Sequence, residues 1–189
     1  MAAVRVLSVC THNRTRSVLV GALLTRHMNR VHVPGAVRAA GFREPGHPPT
    51  PQTIQLLAAC DIDVSGHTSR HVAENDVNAA DIIVTAERMH VVEIAGRWPG
   101  SFVKTMTLPE LAMRGAGTHV GADGDIARWL EQISVGRPTE LDYLDADDIG
   151  EIADPTGMPP NVWRASFEQI DALTSTMATM LTPEPMGAR

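Results

Sequence analysis

Three residues near the start of the chain have types and spacing that could do chemistry: Cys10, Arg16 and Ser17. Thr11, His12, Asn13, Arg14 and Thr15 separate the first two. A loop of this length between a strand and a helix turns its backbone N–H groups inward, and the helix dipole adds positive potential. Such a nest binds a tetrahedral oxyanion. A cysteine at its start meets the same potential, which favours the nucleophilic thiolate. An arginine in the first helical turn can fold back and grip two oxyanion oxygens through its planar fork. Ser17 can donate its hydroxyl to the sulfur. The stretch therefore reads as a nucleophile, an oxyanion cradle and a charge clamp. The plainer alternative is a buried structural cysteine at a strand end; the strand-to-helix junction and the distance to Arg16 argue against it.

The flanking residues supply that junction. Val4 to Val9 is a short, β-branched apolar run that reads as a strand buried on both faces. From Ser17 to about Arg30 the apolar residues Val18, Leu19, Ala22 and Leu23 recur at helical spacing. Pro34-Gly35 marks a turn, Val37 to Ala40 a second strand, and Thr50-Pro51 the capped start of a helix running to about Cys60. Ala80 to Thr85 reads as a buried strand, Arg88 to Gly96 as a helix, and Ser101 to Met106 as the last strand. A helix opens at Leu108, another spans Asp125 to Ile133, and the last runs from about Asn161 to Leu181. Val162, Phe167, Ile170, Leu173 and Met177 give this last helix an apolar stripe. The alternation predicts an α/β three-layer sandwich: about four parallel strands, helices on both faces, and the loop after the first strand at the carboxyl ends of the strands. One domain is expected over residues 1–182, with 183–189 a disordered tail. Gly115-Ala-Gly117 reads as a plain flexible loop, and the acidic run from Asp142 to Glu151 as solvated surface.

Composition narrows the function classes. The 189 residues are 43% hydrophobic and 20% charged, ordinary for a globular protein, with 16 Lys plus Arg against 22 Asp plus Glu. A net charge of −6 without a basic stripe, and aromatics at only 4%, argue against a nucleic-acid partner. Lys104 is the sole lysine; the remaining positive side chains are arginines. Two cysteines, Cys10 and Cys60, make no disulfide framework and suit a reducing compartment. No apolar run approaches a membrane span, and Arg5 breaks the N-terminal one, so neither a membrane nor a secretory signal is expected. The expected location is the cytoplasm. His67 and His71 near Asp63 lack the spacing of a zinc site, and neither a metal nor another cofactor is expected.

Cys10-Thr-His-Asn-Arg-Thr-Arg16-Ser17 resembles the phosphate loop of the low-molecular-weight protein tyrosine phosphatases, a superfamily shared with thioredoxin-type arsenate reductases. The resemblance implies that Cys10 is the nucleophile, that Arg16 binds phosphate and that Asn13 holds the loop's shape. Thr11, His12, Arg14, Thr15 and Ser17 then complete the phosphate-binding set. His12 stands where the phosphatases usually have glycine and resembles the arsenate reductase form; Thr15 stands where they often have a second cysteine. Ala39-Ala40-Gly41 is similar to the family's Ser-Ala-Gly, and Asp61-Ile-Asp-Val-Ser-Gly-His67 to its Gly-Ile-Asp-x-Ser-x-His. His90 falls where the family often has a histidine and reads as a surface or packing residue. Between Met113 and Leu144 the resemblance thins.

Releasing a poor leaving oxygen requires a proton from a carboxylic acid facing the cradle. Asp154-Pro155, before the last helix, stands where the family places its Asp-Pro loop. The resemblance carries the acid role to Asp154, with Asp147 and Asp148 as competitors. The expected activity is hydrolysis of phosphate monoesters, foremost protein phosphotyrosine, through a phosphocysteine. A phosphorylated protein or a small phosphate ester is the expected partner. Phe42, Thr156 and Trp163 are candidate pocket walls; the tyrosines that wall phosphotyrosine pockets after Asp-Pro are replaced here by Thr156 and Gly157. Two alternatives remain: an arsenate reductase drawing on a small-molecule thiol, since two cysteines are too few for an internal three-cysteine relay, and a phosphate-binding module without turnover.

Overall fold

A computed structural model of the protein describes residues 3–121 and 123–183. Its sheet has four parallel strands in the order β2-β1-β3-β4: β1 Val4–Cys10, β2 Gly35–Gly41, β3 Ile82–Thr85 and β4 Thr105–Thr107. Among the described residues, seven α-helices join and flank them: α1 Arg16–Arg30, α2 Pro51–Ala58, α3 Glu74–Ala79, α4 Arg88–Arg97, α5 Leu108–Arg114, α6 Ile126–Ile133 and α7 Pro160–Met180.

The two faces of the sheet are written in β1. Val4, Val6 and Cys10 pack into one core with Leu19, Leu23, Met106, Ile170 and Met177, which brings α1, α5, α6 and α7 onto that face. Leu7 and Val9 point the other way, into a second core with Ile83, Val77 and Ile94 from β3, α3 and α4. Alternating side chains that are apolar on both sides are what a central parallel strand requires. The register Val6–Ile82 and Val9–Thr85 brings the carboxyl ends of β1 and β3 level.

Local chemistry sets most element ends. Thr50 caps α2 by accepting from the Thr53 N–H, and Pro51 opens it. The helix ends at Ala58 rather than Cys60, because the chain turns through Asp61, which adopts a left-handed φ of 59°. The last strand is Thr105–Thr107, later than expected. The segment before it is pulled into a 3-10 turn over Phe102–Lys104, where Thr105 Oγ1 donates to the Ser101 carbonyl at 2.7 Å. Lys104 Nζ donates to the carbonyls of Val77 and Ala80, both at 2.8 Å, and so ties this turn to the end of α3. The six-residue α3 has Val77 as its only bulky apolar residue, too little to show a period.

The region where the resemblance thins is packed into the fold. Trp129, Leu130 and Ile133 of α6 enter the main core, and the Val120 N–H donates to the Met180 carbonyl at 2.8 Å. Pro183, expected in the tail, pairs with Val120 in an isolated bridge; residues 184–189 lie outside the described residues. The acidic run is more than solvated surface. Its carboxylates face water, but Tyr143 and Ile149 between them are buried against Val91. Among the described residues, no helix is long and apolar enough to cross a membrane.

Glu110 on α5 is fully buried and closes this part of the molecule. It accepts from Arg114 Nε and Arg137 Nε, both at 2.9 Å, and from the Tyr143 hydroxyl. Burial, with the neighbouring carboxylate, pushes the Tyr143 phenol well above its usual range. Arg137 lies 4.0 Å from the Phe102 ring centre. Removing the shared acceptor leaves two guanidinium groups and a phenol without their partner. Glu110→Ala is therefore expected to lose about 3–5 kcal/mol of stability, the range for breaking a buried ion pair from one side. Urea unfolding measures it; a loss below about 1 kcal/mol would show that the arginines find water instead.

Candidate active site

The sulfur sits where β1 ends, on the core face, and is almost fully buried. Cys10 Sγ accepts from the Asn13 backbone N–H at 3.3 Å and lies 3.1 Å from Ser17 Oγ. The chain turns between them through Asn13, whose φ of 54° is left-handed, a region asparagine tolerates better than most residues. Every polar group of Asn13 is engaged. Its Nδ2 donates to Ser17 Oγ at 3.0 Å, its Oδ1 accepts from the Arg70 N–H at 3.0 Å, and its carbonyl lies 3.0 Å from His67 Nε2. The α1 helix has no side-chain cap, so the loop itself stands over its N-terminus.

Two neighbours hold the outside of the loop. The Thr11 carbonyl accepts from the N–H groups of Phe42 and Arg43, at 2.8 and 3.0 Å. At Gly41 a Cβ would lie 2.8 Å from Asn13 N and 2.9 Å from the Thr11 carbonyl oxygen, so only glycine lets β2 approach this closely. On the other flank, Thr50 N–H donates to the Arg14 carbonyl at 3.1 Å, and Arg14 Nε donates to the Pro48 carbonyl at 2.8 Å. Thr15 is buried with its hydroxyl 3.3 Å from that of Thr50. His12 is exposed.

Arg16 is 2% exposed and links the two sides of the site. Its Nη2 donates to Thr11 Oγ1 at 3.3 Å and to Asp154 Oδ2 at 2.9 Å; its Nη1 donates to the Ile152 carbonyl at 3.0 Å and to Glu87. Its Nε is a buried donor without a protein partner. Such a group is costly unless something accepts from it, and an oxyanion in the loop is a fitting acceptor. At Asp154, burial pushes the carboxyl up, but the Thr156 N–H at 3.0 Å and the charges of Arg16 and His12 outweigh it. The group is held below the usual carboxylate range.

His90, expected as a surface or packing residue, is buried and packed, and it touches the loop. Its Nε2 lies 3.1 Å from Thr11 Oγ1, and its ring stacks on Phe42 at 5.4 Å. Phe42 carries Arg97 on its ring, 5.1 Å from the centre. Burial above all pushes His90 down to about 4, so the imidazole is neutral at pH 7.

The structure thus brings Cys10, Thr11, Asn13, Arg16, Ser17 and Asp154 together. Thr156 is exposed beside Asp154, Phe42 is occupied with His90 and Arg97, and Trp163 is buried in the first turn of α7. Asp147 and Asp148 are exposed and make no contact with Arg16. Sequence reasoning missed Glu87, whose signal is its place just past β3, on the edge where α/β sheets hold their ligands. It also missed the structural work of His67 and Arg70. A groove of about 1050 Å³ opens at the opposite, amino end of the strands, but neither cysteine nor histidine lines it.

Two outcomes follow from this geometry. Gly41→Ala is expected to lose about 1–3 kcal/mol, as overpacking does, and to weaken inhibition by inorganic phosphate severalfold; unchanged inhibition would show that the loop can yield. The His90 pKa is depressed on folding, so its contribution to stability is full above the unfolded value near 6.5 and is lost as pH falls through about 4. Chemical unfolding at pH 7 and pH 5 is expected to show a smaller loss for His90→Gln than for the wild type, and equal losses would remove His90 from the account.

Comparison with known proteins agrees with this geometry. Residues 5–122 match the family described as low molecular weight phosphotyrosine protein phosphatase. A probable low molecular weight protein-tyrosine-phosphatase, EpsP, of Ralstonia solanacearum is 32% identical over 108 residues, covering 56% of this chain and 71% of the relative. The protein-arginine-phosphatase of Geobacillus stearothermophilus is 26% identical over 182 residues, 95% of this chain and 97% of that one. Among solved structures, a YwlE mutant from Bacillus subtilis superposes with a TM-score of 0.72 at 21% identity, covering 94% of this chain and 97% of its own. A low molecular weight protein tyrosine phosphatase from T. tengcongensis gives 0.72 at 22% identity, covering 95% and 100%. With a match over residues 5–122, more than half its length, the chain belongs to the low molecular weight protein-tyrosine-phosphatase family of cysteine-dependent phosphatases.

Proposed function

We propose that Cys10 attacks phosphorus in a phosphate ester bound in the loop of residues 10–17, forming an S–P bond as the ester oxygen leaves. Asp154 protonates that oxygen, and as a carboxylate it then takes a proton from the water that cleaves the phosphocysteine. Arg16, through its free Nε and its terminal nitrogens, and the loop amides hold the phosphoryl oxygens while charge shifts across them. Ser17 donates to the departing thiolate. The observation that carries this reading is the single guanidinium of Arg16, which contacts Thr11 in the nucleophile loop and Asp154 at once. A bound phosphate dianion competes for that guanidinium and repels the carboxylate, which favours the protonated acid when substrate is present.

The substrate we propose is protein phosphotyrosine, in line with the EpsP relative. A second reading, protein phosphoarginine, rests on the arginine phosphatase relative, whose match runs over nearly the whole chain. In that case the same acid protonates a leaving guanidine nitrogen. The free cysteines suit a reducing cytoplasm.

Cys10→Ser is expected to abolish turnover while retaining phosphate or vanadate binding. Asp154→Asn is expected to lower kcat/KM for an aryl phosphate by about 10²–10⁴-fold, the usual worth of general acid catalysis, and to remove the basic limb of its pH profile. Normal turnover by either variant would refute the assignment. One peptide carrying phosphotyrosine or phosphoarginine, run beside arsenate with a thiol donor, decides the substrate. Preference for phosphoarginine or arsenate would overturn the tyrosine assignment and leave the cradle chemistry standing.

A further inference from the structure

The loop that carries Asp154 lies outside any helix or strand, yet a general acid must be held to a fraction of an ångström. Its bracing comes from two directions. On the core side, Ile152 is fully buried, and its N–H donates to the Ala86 carbonyl at 2.8 Å; Thr107 Oγ1 donates to the Gly150 carbonyl at 2.8 Å. On the solvent side a single residue, Arg88, reaches both ends of the acidic run. Its Nη1 donates to the carbonyls of Leu144 and Ala146, at 3.1 and 2.6 Å, and its backbone N–H and Nε donate to Glu151 Oε1, at 2.7 and 3.4 Å.

We propose that Arg88 is a positioning residue that fixes the acid loop and thereby aims Asp154 at the leaving group. Three features support this. Between its two anchor points lie Asp145, Asp147 and Asp148, all exposed, whose mutual repulsion would otherwise spread the loop. The planar guanidinium is suited to several acceptors in fixed directions, which a lysine ammonium is not. Arg88 also follows Glu87, the partner of Arg16, in the chain. The dipeptide Glu87-Arg88, where the chain passes from β3 into α4, thus holds the phosphate clamp with one side chain and the acid loop with the next. Fixing both from the one start of α4 sets the distance between clamp and acid.

The proposal rests on Asp154 being the acid, and leaving-group dependence separates the two claims. An acid matters most when the leaving oxygen is a poor leaving group. Values of kcat/KM for phenyl phosphate and for dinitrophenyl phosphate are measured on the full chain and its variants, with inhibition by inorganic phosphate as a check on the cradle. Arg88→Ala is expected to lower kcat/KM for phenyl phosphate about tenfold or more, to change that for dinitrophenyl phosphate far less, and to leave phosphate inhibition near wild type. Arg88→Lys restores only part of the loss. Glu151→Ala, a change at an exposed residue that removes one of the anchors, shows the same selective loss in smaller degree and serves if Arg88→Ala does not fold. A loss equal for both esters, or none, overturns the proposal. If Asp154→Asn itself shows no selective loss, the acid assignment falls and this one with it; if Asp154→Asn does and the Arg88 and Glu151 variants do not, this one falls alone.

Discussion

Asn13 is the constraint on which the site depends. A buried residue with a left-handed backbone costs free energy on both counts unless its surroundings hold it there. Here they do, because its amide, its carbonyl and both ends of its side chain find partners in Cys10, His67, Ser17 and Arg70. With Asn13 in place, the loop closes into a ring behind the sulfur. The segment 67–71 is then more than a connection between helices, because it supplies the second wall of that ring. Gly41 belongs to the same constraint from below, since a side chain there would press on Asn13.

Charge is organised at two places in contrasting ways. Around Glu110, two guanidinium groups and a phenol share one buried carboxylate, Arg137 also donates to the Phe102 carbonyl, and each ion has its partners. That arrangement suits a structural joint between α5, the segment after α6 and the turn at Tyr143. Around Arg16 the balance differs. Two carboxylates flank one guanidinium, and one of its N–H groups remains free. Glu87 and Asp154 are 34% and 39% exposed, so water solvates the outer side of each carboxylate while the cation between them stays buried. A buried cation flanked by two partly exposed carboxylates is the charge pattern on which the proposed exchange of a carboxylate for a phosphate relies.

Much of this was legible in the residues. The apolar run of β1, the period of α1 and the spacing from Cys10 to Arg16 are short-range signals, and the fold and the loop followed from them. Asp154 was legible only through the resemblance, since Asp-Pro alone also marks ordinary turns. The rest depended on long-range pairing that no local pattern encodes. Glu87 meets Arg16 from 71 positions away and His90 meets Thr11 from 79, and neither has a neighbour in sequence that announces it. The short α3 hid because six residues with one bulky apolar side chain show no period, and the late start of β4 reflects side-chain bonds to carbonyls rather than β propensity.

Lys104 is the chain's one lysine, and its ammonium is turned onto the carbonyls at the end of α3. Every other cationic side chain of fixed charge is a guanidinium. Acetylating enzymes and amine-reactive reagents therefore meet a single side-chain target, one already engaged in holding a helix end to the sheet. Lysine acylation can therefore change charge at this one position, and none of the cations around the loop of residues 10–17 is open to it.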